Sequence, residues 1–231
     1  MKKLLIALVV LFSMLNANEV IKPKMMKMFQ TVPNGEIVQT GKSKAYCPIC
    51  GMTLKMFYKT NYSAVDEHNN TKQFCSIHCL ADAIINNNAK LSDIKVVDTI
   101  SLKFIDAKKA FFVVGSTKKG TMSMVSKYAF KFNEDAQKFA KEFGGDVVKF
   151  DIAYKIASDE LPKDNAMIEK KRAMARKHGE KLYNKICKKT QEKFTSISQT
   201  KTYIVDNNLC GDIKGKKLQM IAIYLYKKQD K

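Results

Sequence analysis

The chain has 231 residues, with 41 Lys and Arg against 22 Asp and Glu, a formal charge of +19, six Cys, 12 Met and three His. That length holds one or two domains with real cores, and the three histidines (His68, His78, His178) join no serine–histidine or paired-carboxylate pattern, so an enzyme is not expected. The lysines are spread from Lys22 to Lys231 without a basic block, which suits a solvated surface, and no nucleic-acid motif is present.

Residues 1–17 read as a secretory signal peptide: Lys2 and Lys3, an apolar run from Leu4 to Leu15, and a small residue at Ala17. The run is shorter than the roughly 20 residues of a spanning helix. Cleavage leaves a charge of +17 and no transmembrane segment, and the first cysteine, Cys47, is too far on to carry a lipid anchor. The expected location is the periplasm, where disulfides are permitted. Residues 18–43 form a polar lead-in with Met25, Met26 and Met28, whose clustering alone does not make them site residues.

Residues 44–90 carry the densest chemistry. Cys47-Pro-Ile-Cys50-Gly51-Met52 is followed by Phe74-Cys75-Ser76-Ile77-His78-Cys79, so four thiols, an imidazole and a thioether fall within 33 positions. Between them, Tyr62–Glu67 alternates as a strand, His68–Asn70 is a turn, and Thr71–Cys75 is a second strand. Ser76 can cap a helix with Ile77, Leu80, Ala81, Ile84 and Ile85 on one face, ending at Asn86–Asn88. Cys75 and Cys79 then lie one helical turn apart, facing the Cys47–Cys50 knuckle, where Gly51 lets the backbone curl. Paired cysteines at this spacing are a metal signal: thiolates alone suit Zn(II), and thiolate with thioether suits Cu(I). His78 points to another side of the helix and is expected to be solvated or capping, a secondary candidate ligand only.

Residues 91–151 repeat this outline without cysteines. Ile94–Ile100, Ala110–Val114 and Tyr128–Phe132 read as strands, Asn133 as the cap of a helix with Ala136, Phe139, Ala140 and Phe143 on one face, and Asp146–Phe150 as a last strand. In Gly120-Thr-Met122-Ser-Met124 the two thioethers alternate, which on an extended segment places them on one side.

The succession Tyr46-Cys-Pro-Ile-Cys-Gly-Met52, Ile105-Asp-Ala-Lys-Lys-Ala-Phe-Phe-Val-Val-Gly-Ser116, Gly120-Thr-Met122 and Phe143-Gly-Gly-Asp146, closing on Lys149-Phe-Asp151, resembles the NosL family of nitrous oxide reductase accessory proteins over about residues 44–151. The resemblance implies two ββαβ units packed together, Cu(I) binding in the periplasm, and nitrous oxide reductase or its copper-site assembly machinery as partner. Cys50 and Met52 match the family's Cys-x-Met, and Met122 its glycine-flanked methionine; Cys47 would assist. The departures are the missing lipidation cysteine and the Cys75–Cys79 pair, which resembles small zinc- and copper-binding modules and makes Cys75 and Cys79 additional candidates; Met124, alternating with Met122 between Gly, Thr and Ser, and His78, next to Cys79, are further candidates from their positions alone.

Residues 152–231 form a mainly helical extension. Pro162 and Asp164 mark a boundary, and Ala166–Lys189 reads as a basic helix broken near Gly179. Gly179–Cys187 and Leu218–Leu225 resemble the first and last helices of a small c-type cytochrome, but no Cys-x-x-Cys-His follows, so no haem is expected. Cys187 and Cys210 are expected to form a disulfide.

The fold class is thus α+β, and the leading function a copper metallochaperone with Cys50, Met52, Met122 and Cys47 as ligands. A structural Zn(II) scaffold held by the four cysteines is the alternative. A thiol–disulfide oxidoreductase is weakest, because no helical period opens at Cys47–Cys50. Stoichiometry, including a homodimer sharing one ion, stays open.

Overall fold

The computed structural model describes residues 28–228; the expected signal peptide, Met25 and Met26 lie outside them. β1 (Tyr62–Asp66) and β2 (Thr71–Phe74) form a hairpin. The Asp66 carboxylate closes its turn by accepting the backbone N–H groups of His68 at 3.0 Å and Asn70 at 2.8 Å. α1 (Ile77–Ile85) starts at Ser76, whose hydroxyl oxygen accepts the Cys79 N–H at 3.3 Å, so the expected cap is in place.

β3 (Leu91–Val97) returns antiparallel on the free side of β1, and the three-residue β4 (Phe104–Asp106) extends the sheet to the order β2-β1-β3-β4. Then β5 (Phe111–Val114), β6 (Lys127–Phe130), α2 (Asn133–Phe143) and β7 (Asp146–Lys149) make a second sheet of order β6-β5-β7. Each unit is ββαβ with its first strand in the middle, and the fold is α+β. An isolated parallel bridge from Asp98 to Ala129 joins the two units.

Two local expectations differ from this structure, and one strand, β4, was not expected. The apolar stretch at Ile94–Ile100 was assigned to the second unit, yet it is strand only to Val97 and pairs Val96 with Tyr62 of β1. Alternation shows that a stretch is a strand and not which sheet it joins. β4 has too few residues to show any period. α2 has Phe132 at its N-cap without a side-chain cap bond, and Glu134 and Asp135 in its first turn favour the start electrostatically instead of Asn133 capping it.

α3 (Phe150–Ile186) is a single helix of 37 residues that runs through both expected interruptions. Around Pro162, Leu161 and Asp164 are buried, and packing holds the turn that proline would weaken. Gly179 is not a break: a Cβ there would collide with the Met220 carbonyl, so glycine is what lets the next helices lie close. Those helices, α4 (Ile197–Asp206) and α5 (Gly215–Lys228), share a separate core with α3 built on Tyr183, Ile204, Leu218, Ile221 and Ala222. A disulfide joins Cys187 to Cys210 with an S–S distance of 2.07 Å. No helix among the described residues is long and apolar enough to cross a membrane.

Candidate metal centre

The knuckle is a tight loop. The Gly51 N–H donates to the Cys47 carbonyl at 2.9 Å, and the Cys47 N–H donates to the Met52 carbonyl at 2.9 Å. Gly51 has φ +72°, a left-handed conformation that costs an L side chain about 1–2 kcal/mol. No α-helix opens at the pair; a 3₁₀ helix follows at Leu54–Thr60.

Facing the loop, Cys75 ends the hairpin and Cys79 sits in the first turn of α1. Their sulfurs are 3.6 Å apart, and Cys50 Sγ lies 3.4 Å from Cys75 Sγ. All four thiols lie within 4.8 Å of one another and all are buried. Tetrahedral Zn–S bonds of about 2.3 Å put sulfurs about 3.8 Å apart, so the four have the spacing of a closed all-sulfur set.

Burial pushes the Cys47 thiol up, but hydrogen bonds from Cys50, Cys75 and Cys79 outweigh it and hold Cys47 well below the usual thiol range. Hydrogen bonding with Cys47 and Cys50, together with burial, pushes Cys75 and Cys79 well above it. These opposite directions favour ionising Cys47 ahead of Cys75 and Cys79, and a soft cation is the partner a thiolate favours.

Met52 and Met122 are half-buried against the core beside this group. The expected alternation of Met122 and Met124 along an extended segment is not found. Residues 121–125 bend, Met122 has φ +61°, and Met124 is 70% exposed. Both methionines nevertheless line one cleft of about 550 Å³ together with Cys50 and Met52. Of the four thiols, Cys50 alone lines that cleft. It therefore belongs both to the buried sulfur group and to an accessible thioether wall.

His78 is buried and its Nδ1 is 3.8 Å from Asp164 Oδ2 on α3. It is neither solvated nor capping, because α3 covers α1, and it lies outside the four-thiol group. Burial pushes its pKa down more than the Asp164 and Asp82 carboxylates push it up. Asp164 also accepts the Met124 N–H at 3.4 Å, which ties the methionine loop to α3.

The helical extension holds the knuckle from behind. Lys201 Nζ on α4 donates to the Gly51 carbonyl at 2.8 Å and to Gln219 Oε1 on α5 at 3.1 Å, while Gln219 Nε2 donates to the Cys50 carbonyl at 3.1 Å. The Lys201 ammonium also sits 4.0 Å from the centre of the Tyr46 ring. Burial pushes its pKa down to about 8, and the neighbouring Cys50 pulls the other way.

Sequence reasoning missed Lys201 and Gln219, and it missed Met167, Met174, His178 and Met220, which line the far side of the cleft. A signal for part of this set was present. Met167 and Met174 are seven residues apart and His178 is four beyond Met174, so all three share one face of α3.

The sequence model of the family described as NosL matches residues 38–156. The span contains all four clustered thiols, Met52, Met122 and Met124, and it ends within α3 before Met167. The crystal structure of the copper chaperone NosL from Shewanella denitrificans aligns with a TM-score of 0.40 at 26% identity, over 50% of this chain and 91% of that one. No curated protein matches the chain.

Proposed function

Because the chain belongs to the NosL family, we propose that it is an exported, periplasmic Cu(I)-binding accessory protein, a metallochaperone that supplies copper for assembly of nitrous oxide reductase metal centres. The observation that carries this reading is the position of Cys50, shared between the thiol group and the thioether-lined cleft. Cu(I) is cargo rather than a resident cofactor. Cys50, Met52 and Met122 would hold it, with Cys47 assisting. Neutral thioethers beside a thiolate bind Cu(I) through soft donors while leaving it open to exchange, and the cleft gives a partner's ligands a way in. Full enclosure by four thiolates would retain the ion instead.

Cu(I) competition against a chromophoric chelator tests this on the reduced protein. Cys50→Ser and Met122→Ala should each weaken binding at least tenfold, about 1.4 kcal/mol, while circular dichroism shows the fold retained. Unchanged affinity in both variants refutes the ligand assignment.

One observation favours a second reading: the four thiols are all buried and mutually within 4.8 Å. That suits a structural Zn(II) site in a scaffold or interaction module. Metal analysis of protein purified without added metal separates the two, since one tightly held zinc and no exchangeable copper would overturn the transfer reading.

A further inference from the structure

The cleft that reaches Cys50 does not end with the family-matched segment. Its far side is made by the helical extension: Met167, Met174 and His178 from α3 and Met220 from α5 all line it. Met174 and His178 are one helical turn apart. Gly179, beside His178, brings α5 so close that the Met220 carbonyl occupies the space a side chain would need. This close approach of α3 and α5 thus lies beside a cleft wall that carries thioethers from both helices and an imidazole.

Two features separate this set from ordinary core packing. Met174 is 59% exposed, His178 is exposed, and Met167 and Met220 are only half-buried. A methionine filling a core gap is covered; these line an open wall. The cleft is also lined by Lys171, Arg172 and Lys216 and, among the described residues, by no carboxylate. Hard divalent cations want oxygen ligands and negative charge, so calcium or magnesium is disfavoured. Thioether and neutral imidazole suit a soft monovalent ion, and the long basic side chains can turn their charged ends to water.

We propose that Met174, His178 and Met220, with Met167 on the same face of α3, form a second Cu(I) site built by the helical extension and separate from the four thiols. With no thiolate it holds the ion more weakly than the site at Cys50, and the shared cleft makes it a station through which the ion passes to or from that thiol. The identity of the ion as cargo rests on the copper reading above; the existence of the site does not.

The test uses the full chain and Ag(I), a soft monovalent ion that is stable to air, with methionine methyl groups labelled with carbon-13 for NMR. Wild-type protein should bind a second equivalent of Ag(I) at least tenfold more weakly than the first, with shifts in the Met174 and Met220 methyl signals. Met174→Leu/Met220→Leu keeps side-chain volume and should abolish the second equivalent while leaving the first unchanged. Met174→Leu alone, at an exposed position, serves if the double change disturbs the helices, and should weaken the second equivalent at least fivefold. In Cys50→Ser the Met174 and Met220 shifts should persist. Retention of both equivalents in the leucine variants overturns the proposal, as does loss of the Met174 and Met220 shifts in Cys50→Ser. Neither result bears on the Cys50 and Met122 affinities by which the copper reading itself is judged.

Discussion

Gly51→Ala is the sharpest probe of how the helical extension supports the knuckle. At φ +72° an alanine pays about 1–2 kcal/mol for the left-handed backbone. The new Cβ would also overlap Ile197 Cγ2 and come within 2.9 Å of Ile197 Cβ. Ile197 is buried at the start of α4 and has no solvent to swing into, so this overpacking adds about 1–3 kcal/mol. A loss of about 2–5 kcal/mol in urea unfolding is expected. Ile197→Ala alone should cost about 2–5 kcal/mol as a buried truncation. Because it removes the overlapping Cγ2, the double variant should be more stable than the sum of the singles predicts, by about 1 kcal/mol or more. Additivity within about 0.5 kcal/mol, the behaviour of independent sites, would refute the contact between α4 and the knuckle. A cost below about 1 kcal/mol for Gly51→Ala would refute the strain argument.

Two further perturbations test other parts of the frame. Cys187→Ser/Cys210→Ser opens a cross-link between residues 23 apart, and chain entropy predicts a loss of about 3 kcal/mol; a change under 1 kcal/mol in urea unfolding would contradict it. His78 has its pKa held below the usual range by burial, so as pH falls below about 6.5 the unfolded chain takes up a proton that the folded chain resists. Stability should fall with pH through that window, and His78→Gln should flatten this part of the profile measured by thermal unfolding.

Local chemistry was legible where it is written in neighbouring residues. Ser76 and the helical spacing after it announced α1, and the Cys75–Cys79 interval placed two sulfurs on one turn. The facing of Cys47 and Cys50 onto that turn followed from knuckle, hairpin and helix in succession. What could not be read was pairing between distant segments. The stretch ending at Val97 has the same alternation whether it borders β1 or opens a new sheet, and only the burial of Val96 opposite Tyr62 decides it. Pro162 and Gly179 look like breaks because both residues are poor helix formers. They lie inside α3 because packing on α1 and α5 outweighs intrinsic preference, and at Gly179 the neighbour requires the absence of a side chain. Lys201 and Gln219 gave no signal at all, since their roles depend on carbonyls 150 and 169 residues earlier.

Those two contacts change what counts as the site. The segment matched by the family model contains every clustered thiol, yet the carbonyls of Cys50 and Gly51 are held by side chains from α4 and α5, outside that segment. A buried ammonium tolerates burial only while its donors are satisfied, so Lys201 draws Gly51 and Gln219 together and Gln219 in turn fixes Cys50. Of these two helices α5, with α3, supplies the far wall of the cleft onto which Cys50 opens. The orientation of this thiol toward buried sulfur or toward accessible thioether is therefore set jointly by the knuckle and by the extension. A truncation after residue 156 would remove Lys201 and Gln219 along with Met167, Met174 and Met220. Point substitutions in the full chain are for that reason the cleaner way to ask which sulfur atoms hold the ion.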